Sequence, residues 1–199
     1  MTVSYCGLKK NGIENLSRLP LMTLCRVALI CFFDQISNIS PKLTIISTPT
    51  SLLAKYTQLA HSIGSHVFVE KPGIVSNEEY KKIESIFINS SLTYNVGFQR
   101  KYDPQYIKLK EIIKSSSLGK VKSTNVELSS FVPEWHPYED YKKLYACRKE
   151  LGGGVILTES HEIDMICDLL GKPTKVESEL IRDEKYELDI DDTAYINAE

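Results

Sequence analysis

The chain has 199 residues, 42% of them hydrophobic and 25% charged, the composition of a folded globular protein and not of a disordered or fibrous one. Its formal net charge is -2 and its pI near 6.1, with Lys and Arg scattered along the chain, so it carries no electrostatic footprint for nucleic acid. The five cysteines (Cys6, Cys25, Cys31, Cys147 and Cys167) form neither a CxxC pair nor a metal-ligand spacing, and their odd number argues against a closed disulfide framework; a reducing cytoplasm is the expected compartment.

In chain order, residues 7–17 (GLKKNGIENLS) precede an apolar run at residues 19–33 (LPLMTLCRVALICFF). That run has the character of a secretory leader core, with Lys9, Lys10 and Arg18 ahead of it. It is too short to span a bilayer, holds Arg26 in its middle and is followed by no small-residue cleavage site, so no membrane segment is expected. From Lys42 the pattern alternates short β-branched runs with amphipathic stretches, as βα units do. Residues 43–48 (LTIIST) read as a buried strand. Thr50 or Ser51 can cap a helix to about Ile63, with Gly64 past its end. Residues 66–70 (HVFVE) are a second strand, and Ser76 with Glu79 forms a capping box for a helix to about Ile88. Residues 93–98 are a third strand, and single-helix connections predict a parallel sheet.

After Asp103 the pattern changes. A helix is predicted over residues 104–115 with Pro104 in its first turn, then Gly119 and a long alternating strand at 121–131. An aromatic loop follows, then a helix over 158–170 closed by Gly171, and strands at 174–182 and 192–198. The expected architecture is α/β: a partial doubly wound parallel sheet followed by a partial α+β domain with a largely antiparallel sheet. The sequence contains neither internal repeats nor low-complexity tracts.

Several positions carry candidate chemistry. Glu70, Lys71 and Pro72 stand at the carboxyl end of a predicted strand, where open α/β sheets place ligands. A partly desolvated lysine there can donate a proton to a substrate oxygen; alternatively Lys71 is a solvated lysine in a turn. Ser47, Thr48, Pro49 and Thr50 end the preceding strand and would line the same edge. His161 shares a helix face with Thr158 and Asp164 by their three-residue spacing. Histidine is the usual general acid or base near neutrality, and a carboxylate one turn away can orient its ring; a structural histidine is the other reading. No second histidine or cysteine joins His161, Glu162 and Asp164 at a ligand spacing, so no metal is expected. Gly152, Gly153 and Gly154 lack the G-x-G-x-x-G spacing and read as a flexible or tightly packed helix start. Trp135, His136, Tyr138, Tyr141, Tyr145 and Arg148 crowd one loop, a combination that suits a carbohydrate or nucleotide, or simply a core or interface.

Taken together, STPT, HVFVEKPG, YNVGFQRKYDP, WHPYEDY and ELGGGVILTESHEID resemble, in this order, the Gfo/Idh/MocA family (glucose-fructose oxidoreductase, inositol dehydrogenase and relatives), over roughly residues 41–195. The resemblance implies a partial NAD(P)-binding Rossmann domain over residues 1–97 and a partial C-terminal substrate and oligomerisation domain over 98–199. It implies a dehydrogenase that moves a hydride between a sugar or sugar-nucleotide hydroxyl carbon and NAD or NADP. Lys71, His161 and Asp164 would be catalytic; Ser47, Thr48, Pro49, Glu70, Lys71, Gln99 and Arg100 would contact the cofactor. Trp135, Tyr138, Tyr141, Arg148 and Thr158 would face the substrate. A small-molecule substrate and a homo-oligomer, but neither nucleic acid nor membrane, are the implied partners. Many members carry an aspartate one helical turn before the histidine; this chain has Thr158, which cannot take a proton as a carboxylate does. The glycine-rich loop that binds the pyrophosphate is also absent, and the expectation is a chain truncated at both ends. The alternatives are a cofactor-site-deficient fragment or a non-catalytic binding or assembly protein with the same fold, and a lyase or epimerase using tightly held NAD.

Overall fold

A computed structural model of the protein describes residues 27–29 and 41–199. The readings made for residues 7–17, for the apolar run apart from 27–29 and for Cys6, Cys25 and Cys31 lie outside the described residues. Two compact units result, one ending at Gly97 and one running from Phe98 to Glu199.

The first unit is a parallel sheet of β1 (Val27–Leu29), β2 (Leu43–Ile46), β3 (His66–Val69) and β4 (Tyr94–Val96) in that spatial order. Each neighbouring pair is parallel, with Ile46 opposite Val69 and Val69 opposite Val96. Thr44 and Ile46 in β2 and Val67 and Val69 in β3 are buried on the side covered by helix α1 (Leu53–Ser62). The buried hydroxyl of Thr44 is satisfied by Ser65 Oγ at 2.8 Å, as a polar group inside an apolar layer requires. Helix α1 contributes Leu53, Ala54, Thr57 and Ala60, one helical face, to the core. Ile46, Leu53, Ala60, Val67 and Val69 form its centre, with Tyr56, Phe87 and Tyr94 packed around them. Full burial of each larger aliphatic side chain stabilises by roughly 1.5–3 kcal/mol. Neither Thr50 nor Ser51 caps α1. Pro49 leads into a 3-10 turn, Thr50–Leu52, closed by Leu52 N–H donating to Pro49 O at 2.9 Å, so the backbone supplies what a hydroxyl cap would have. Helix α2 (Asn77–Phe87) has its predicted cap: Ser76 Oγ accepts from Glu79 N–H at 3.2 Å, and Glu79 Oε2 accepts from Val75 N–H at 2.8 Å.

The second unit opens with a 3-10 turn, Gln99–Tyr102, and helix α3 (Pro104–Ser115), whose N-cap Asp103 accepts from Gln105 N–H at 2.8 Å. The strand predicted over residues 121–131 does not form. That stretch pairs with no other strand among the described residues, and Val121, Val126, Leu128 and Phe131 are exposed; alternation alone cannot make a ladder without a partner for its backbone groups. The predicted helix at 158–170 is two helices, α4 (Val155–Thr158) and α5 (Ser160–Leu170), broken at Glu159. Strands β5 (Val176–Ile181) and β6 (Thr193–Ala198) pair antiparallel, from Val176 opposite Ala198 to Ile181 opposite Thr193.

The three consecutive glycines are a packing device. A Cβ on Gly153 would lie 2.5 Å from Ala146 O and 2.6 Å from Tyr145 O. Gly154 N–H donates to Ala146 O at 3.0 Å, and Val155 N–H donates to Asp191 O at 2.9 Å. At Gly153 the backbone approaches the 145–146 backbone too closely for any side chain.

Candidate functional site

In the first unit, the ends of three parallel strands form one edge. Ser47, Thr48 and Pro49 follow β2, Glu70 and Lys71 follow β3, and Gly97 follows β4. Glu70 N–H donates to Ile46 O at 2.9 Å and Gly97 N–H to Val69 O at 2.7 Å, so the pairing continues to the last residue before each loop. This fixes the register in which Ser47 and Glu70 leave adjacent strands. Ser47, Pro49 and Glu70 are exposed, and Thr48 and Lys71 are half-buried. The Lys71–Pro72 peptide bond is cis. Gly73 has φ +83°, and a Cβ there would lie 2.6 Å from Tyr94 Oη and 2.9 Å from Val96 Cγ2, so glycine alone fits both the conformation and the space. Tyr94 Oη is buried, and its ionisation is pushed up to about 12, chiefly by that burial and secondarily by the Glu79 carboxylate.

In the second unit, His161 lies in the first turn of α5, 5% exposed, and Thr158 at the end of α4 is buried as well. The imidazole meets the Phe98 ring edge-on, with centroids 5.8 Å apart and planes at 77°, a favourable aromatic geometry. Asp164 Oδ1 lies 2.8 Å from Lys101 Nζ, and Arg100 pairs with Glu162. Farther along α5, Asp168 Oδ2 accepts from Tyr106 Oη at 2.7 Å and from Lys110 Nζ. The same Tyr106 hydroxyl lies 3.2 Å from Met165 O. Burial and the Asp168 carboxylate raise Tyr106 well above the ordinary phenol range, whereas Lys110 and Tyr106 hold Asp168 below the usual carboxylate range.

The structure thus brings Arg100, His161 and Asp164 into one cluster with residues not singled out by sequence: Phe98, Lys101, Tyr106, Lys110 and Asp168. The signal for them was modest. His161, Asp164 and Asp168 follow helical spacing, as do Tyr106 and Lys110, but nothing local says which cation meets which carboxylate. Gln99 is exposed in the same 3-10 turn. The aromatic-loop candidates are engaged locally. Trp135 Nε1 donates to Ser130 Oγ at 2.5 Å, Tyr138 is exposed with its hydroxyl 2.6 Å from His136 Nδ1, Tyr141 begins a 3-10 turn, and Arg148 pairs with Glu150 at 2.5 Å. Among the described residues no group of three His, Cys, Asp or Glu side chains could hold a metal ion, and no helix is long and apolar enough to cross a membrane.

A family model described as the GFO/IDH/MocA C-terminal domain matches residues 106–199, and inositol dehydrogenases are among the relatives of the chain. Residues 106–199 thus match the C-terminal domain of the Gfo/Idh/MocA family. It is 26% identical over 129 residues to an oxidoreductase of Formosa agariphila, covering 64% of this chain and 40% of that protein. It is 37% identical over 76 residues to an NAD(+)-type scyllo-inositol 2-dehydrogenase of Bacillus subtilis, covering 38% of this chain and 22% of that protein. Among solved structures it resembles scyllo-inositol dehydrogenase from Lactobacillus casei with bound NAD(H) and scyllo-inositol, with TM-score 0.66, 18% identity and coverage of 87% of this chain and 57% of that one. The chain spans about two fifths or less of the length of these curated relatives.

Proposed function

We propose that this chain belongs to a Gfo/Idh/MocA oxidoreductase that moves a hydride between a hydroxyl-bearing carbon of a sugar or sugar nucleotide and NAD or NADP. The observation that carries the reading is the strand-end edge of the first unit, where the loops after β2 and β3 leave adjacent parallel strands in register and Lys71 stands two residues beyond the last ladder pair. In α/β sheets of this type, ligands bind outside the carboxyl ends of the strands. The residues there fit a dinucleotide: backbone and hydroxyls at Ser47, Thr48 and Pro49, and a carboxylate at Glu70. Ser47, Thr48, Pro49, Glu70, Lys71, Gln99 and Arg100 would hold the cofactor, which when bound supplies the hydride acceptor.

The remaining work is proton handling. Oxidation of a carbinol releases the hydroxyl proton together with the hydride, so a base must take that proton and a cation or donor must steady the oxygen. In this reading His161 takes the proton, Lys71 donates to the oxygen, and Asp164 keeps the imidazole oriented. Thr158 and the loop residues Trp135, Tyr138, Tyr141 and Arg148 face the substrate, and the protein works in the cytoplasm as a homo-oligomer. Support comes from the names of the relatives, which are dehydrogenases of polyols and of D-xylose. The test is formation of reduced nicotinamide by the whole protein with a panel of inositols, free sugars and sugar nucleotides, with NAD and NADP in turn. Turnover on at least one member is the expected outcome. Binding of a sugar without any reduction of either nucleotide would favour the non-catalytic binding reading, for which the absence of G-x-G-x-x-G from the sequence speaks.

A further inference from the structure

Lys101 touches two groups that bear on His161. Its ammonium is 2.8 Å from Asp164 Oδ1 and 5.6 Å from the centre of the Phe98 ring, and that ring is the one meeting the imidazole edge-on. The cation and the imidazole therefore both pack on the Phe98 ring. Asp164 lies three residues beyond His161 on the same helix, so carboxylate and imidazole share a face.

The charges around His161 fall into pairs. Helix α5 carries Glu162, Asp164 and Asp168, with Glu159 just ahead of it; the turn packed on it carries Arg100, Lys101 and Asp103, and α3 brings Tyr106 and Lys110. Arg100 takes Glu162, Lys110 and Tyr106 take Asp168, Asp103 caps α3, and Lys101 takes Asp164. Of the three carboxylates on α5, Asp164 stands one turn from His161. Its second oxygen, Oδ2, is buried and accepts no hydrogen bond. Without Lys101 that carboxylate would lack its cation, and the imidazole on the same helix face is a group able to become one.

We propose that Lys101 is a positioning residue for His161, neutralising Asp164 and clamping Phe98 so that the imidazole stays oriented and is not drawn into an ion pair with that carboxylate. The proposal rests on the reading of His161 as the proton acceptor, but it can be tested without turnover. The readout is an NMR titration of the His161 ring in the whole protein, assigned by difference from His161→Gln among the four histidines.

Lys101→Met is expected to raise the His161 midpoint by about one pH unit, because an uncompensated carboxylate favours the charged imidazole. Lys101→Arg should hold it within a few tenths, and Asp164→Asn should lower it. The double variant Lys101→Met, Asp164→Asn should return near the parent value. A midpoint unmoved by Lys101→Met, or moved equally by Lys101→Arg, overturns the proposal. Should Lys101→Met fail to fold by circular dichroism, an unchanged midpoint in Asp164→Asn overturns it instead. If the parent protein reduces neither nucleotide yet the titrations move as stated, the oxidoreductase reading falls and the positioning role stands; an active parent with unmoved titrations gives the reverse.

Discussion

At the level of single residues, the two proton-handling candidates differ in surroundings, and that difference sets what their removal should do. His161 is buried against Phe98, whereas Lys71 is half-buried at a strand end. In the whole protein, Lys71→Ala and His161→Ala should each lower kcat by around a hundredfold or more, the usual scale for losing a positioned acid or base, while cofactor affinity changes little in His161→Ala. Steady-state kinetics with the substrate found in the panel, alongside cofactor titration by fluorescence, checks both halves; near-normal kcat in Lys71→Ala would remove it from the mechanism. Asp168 offers a pH-dependent expectation of another kind. Lys110 and Tyr106 lower its folded-state pKa, so its contribution is present above the unfolded carboxylate pKa and is lost as pH falls through the folded value. Asp168→Asn should therefore destabilise by about 1 kcal/mol at neutral pH, the scale of a hydrogen bond or two to a carboxylate. The gap between variant and parent should close in acid, and chemical denaturation at neutral and acidic pH would show a constant gap if the idea is mistaken. Histidine spacing was legible in the sequence; the partners were not. The Lys101–Asp164 pair spans 63 positions in sequence (164 less 101), and no local pattern encodes a contact made by tertiary packing.

For whole elements, what the sequence made visible was whatever a few neighbouring residues decide. The Ser76 and Glu79 capping arrangement, Pro104 in the first turn of α3, and Gly171 past the end of α5 are all local, and all are present. The parallel order of β2, β3 and β4 follows from the single-helix connections between them. The strand predicted over residues 121–131 failed for the opposite reason, since a strand is completed by a partner that the run itself does not contain. The role of Gly153 was half visible: its neighbours suggested tight packing, but not against which backbone. That contact gives a paired expectation. Gly153→Ala puts a methyl group within 2.6 Å of two carbonyl oxygens and should destabilise by about 2 kcal/mol or more. Gly64→Ala meets nothing within 4 Å and should cost only the left-handed conformation at φ +75°, about 1 kcal/mol. Thermal unfolding that ranks Gly64→Ala as the more damaging change would mean the 145–148 turn gives way easily.

On the scale of the whole chain, the governing fact is that a parallel sheet and a Gfo/Idh/MocA C-terminal match occur in a chain without G-x-G-x-x-G. A dinucleotide is held in two places by such sheets: the loops at the strand ends grip its nicotinamide half, and backbone amides at the first helix N-terminus grip the pyrophosphate. In the proposed reading the first grip would fall to Ser47, Thr48, Pro49, Glu70 and Lys71. The second depends on close backbone approach, which the missing glycines would normally permit. Two phosphates with no amide cradle remain better solvated by water than by protein. The 199-residue polypeptide should accordingly bind NAD and NADP no more tightly than about millimolar, roughly -4 kcal/mol. Isothermal titration calorimetry of this polypeptide, at protein concentrations high enough to detect weak binding, makes the measurement. A micromolar dissociation constant would mean that residues 1–40 supply a phosphate cradle built from other side chains, with Lys9, Lys10 and Arg18 the first to replace by alanine.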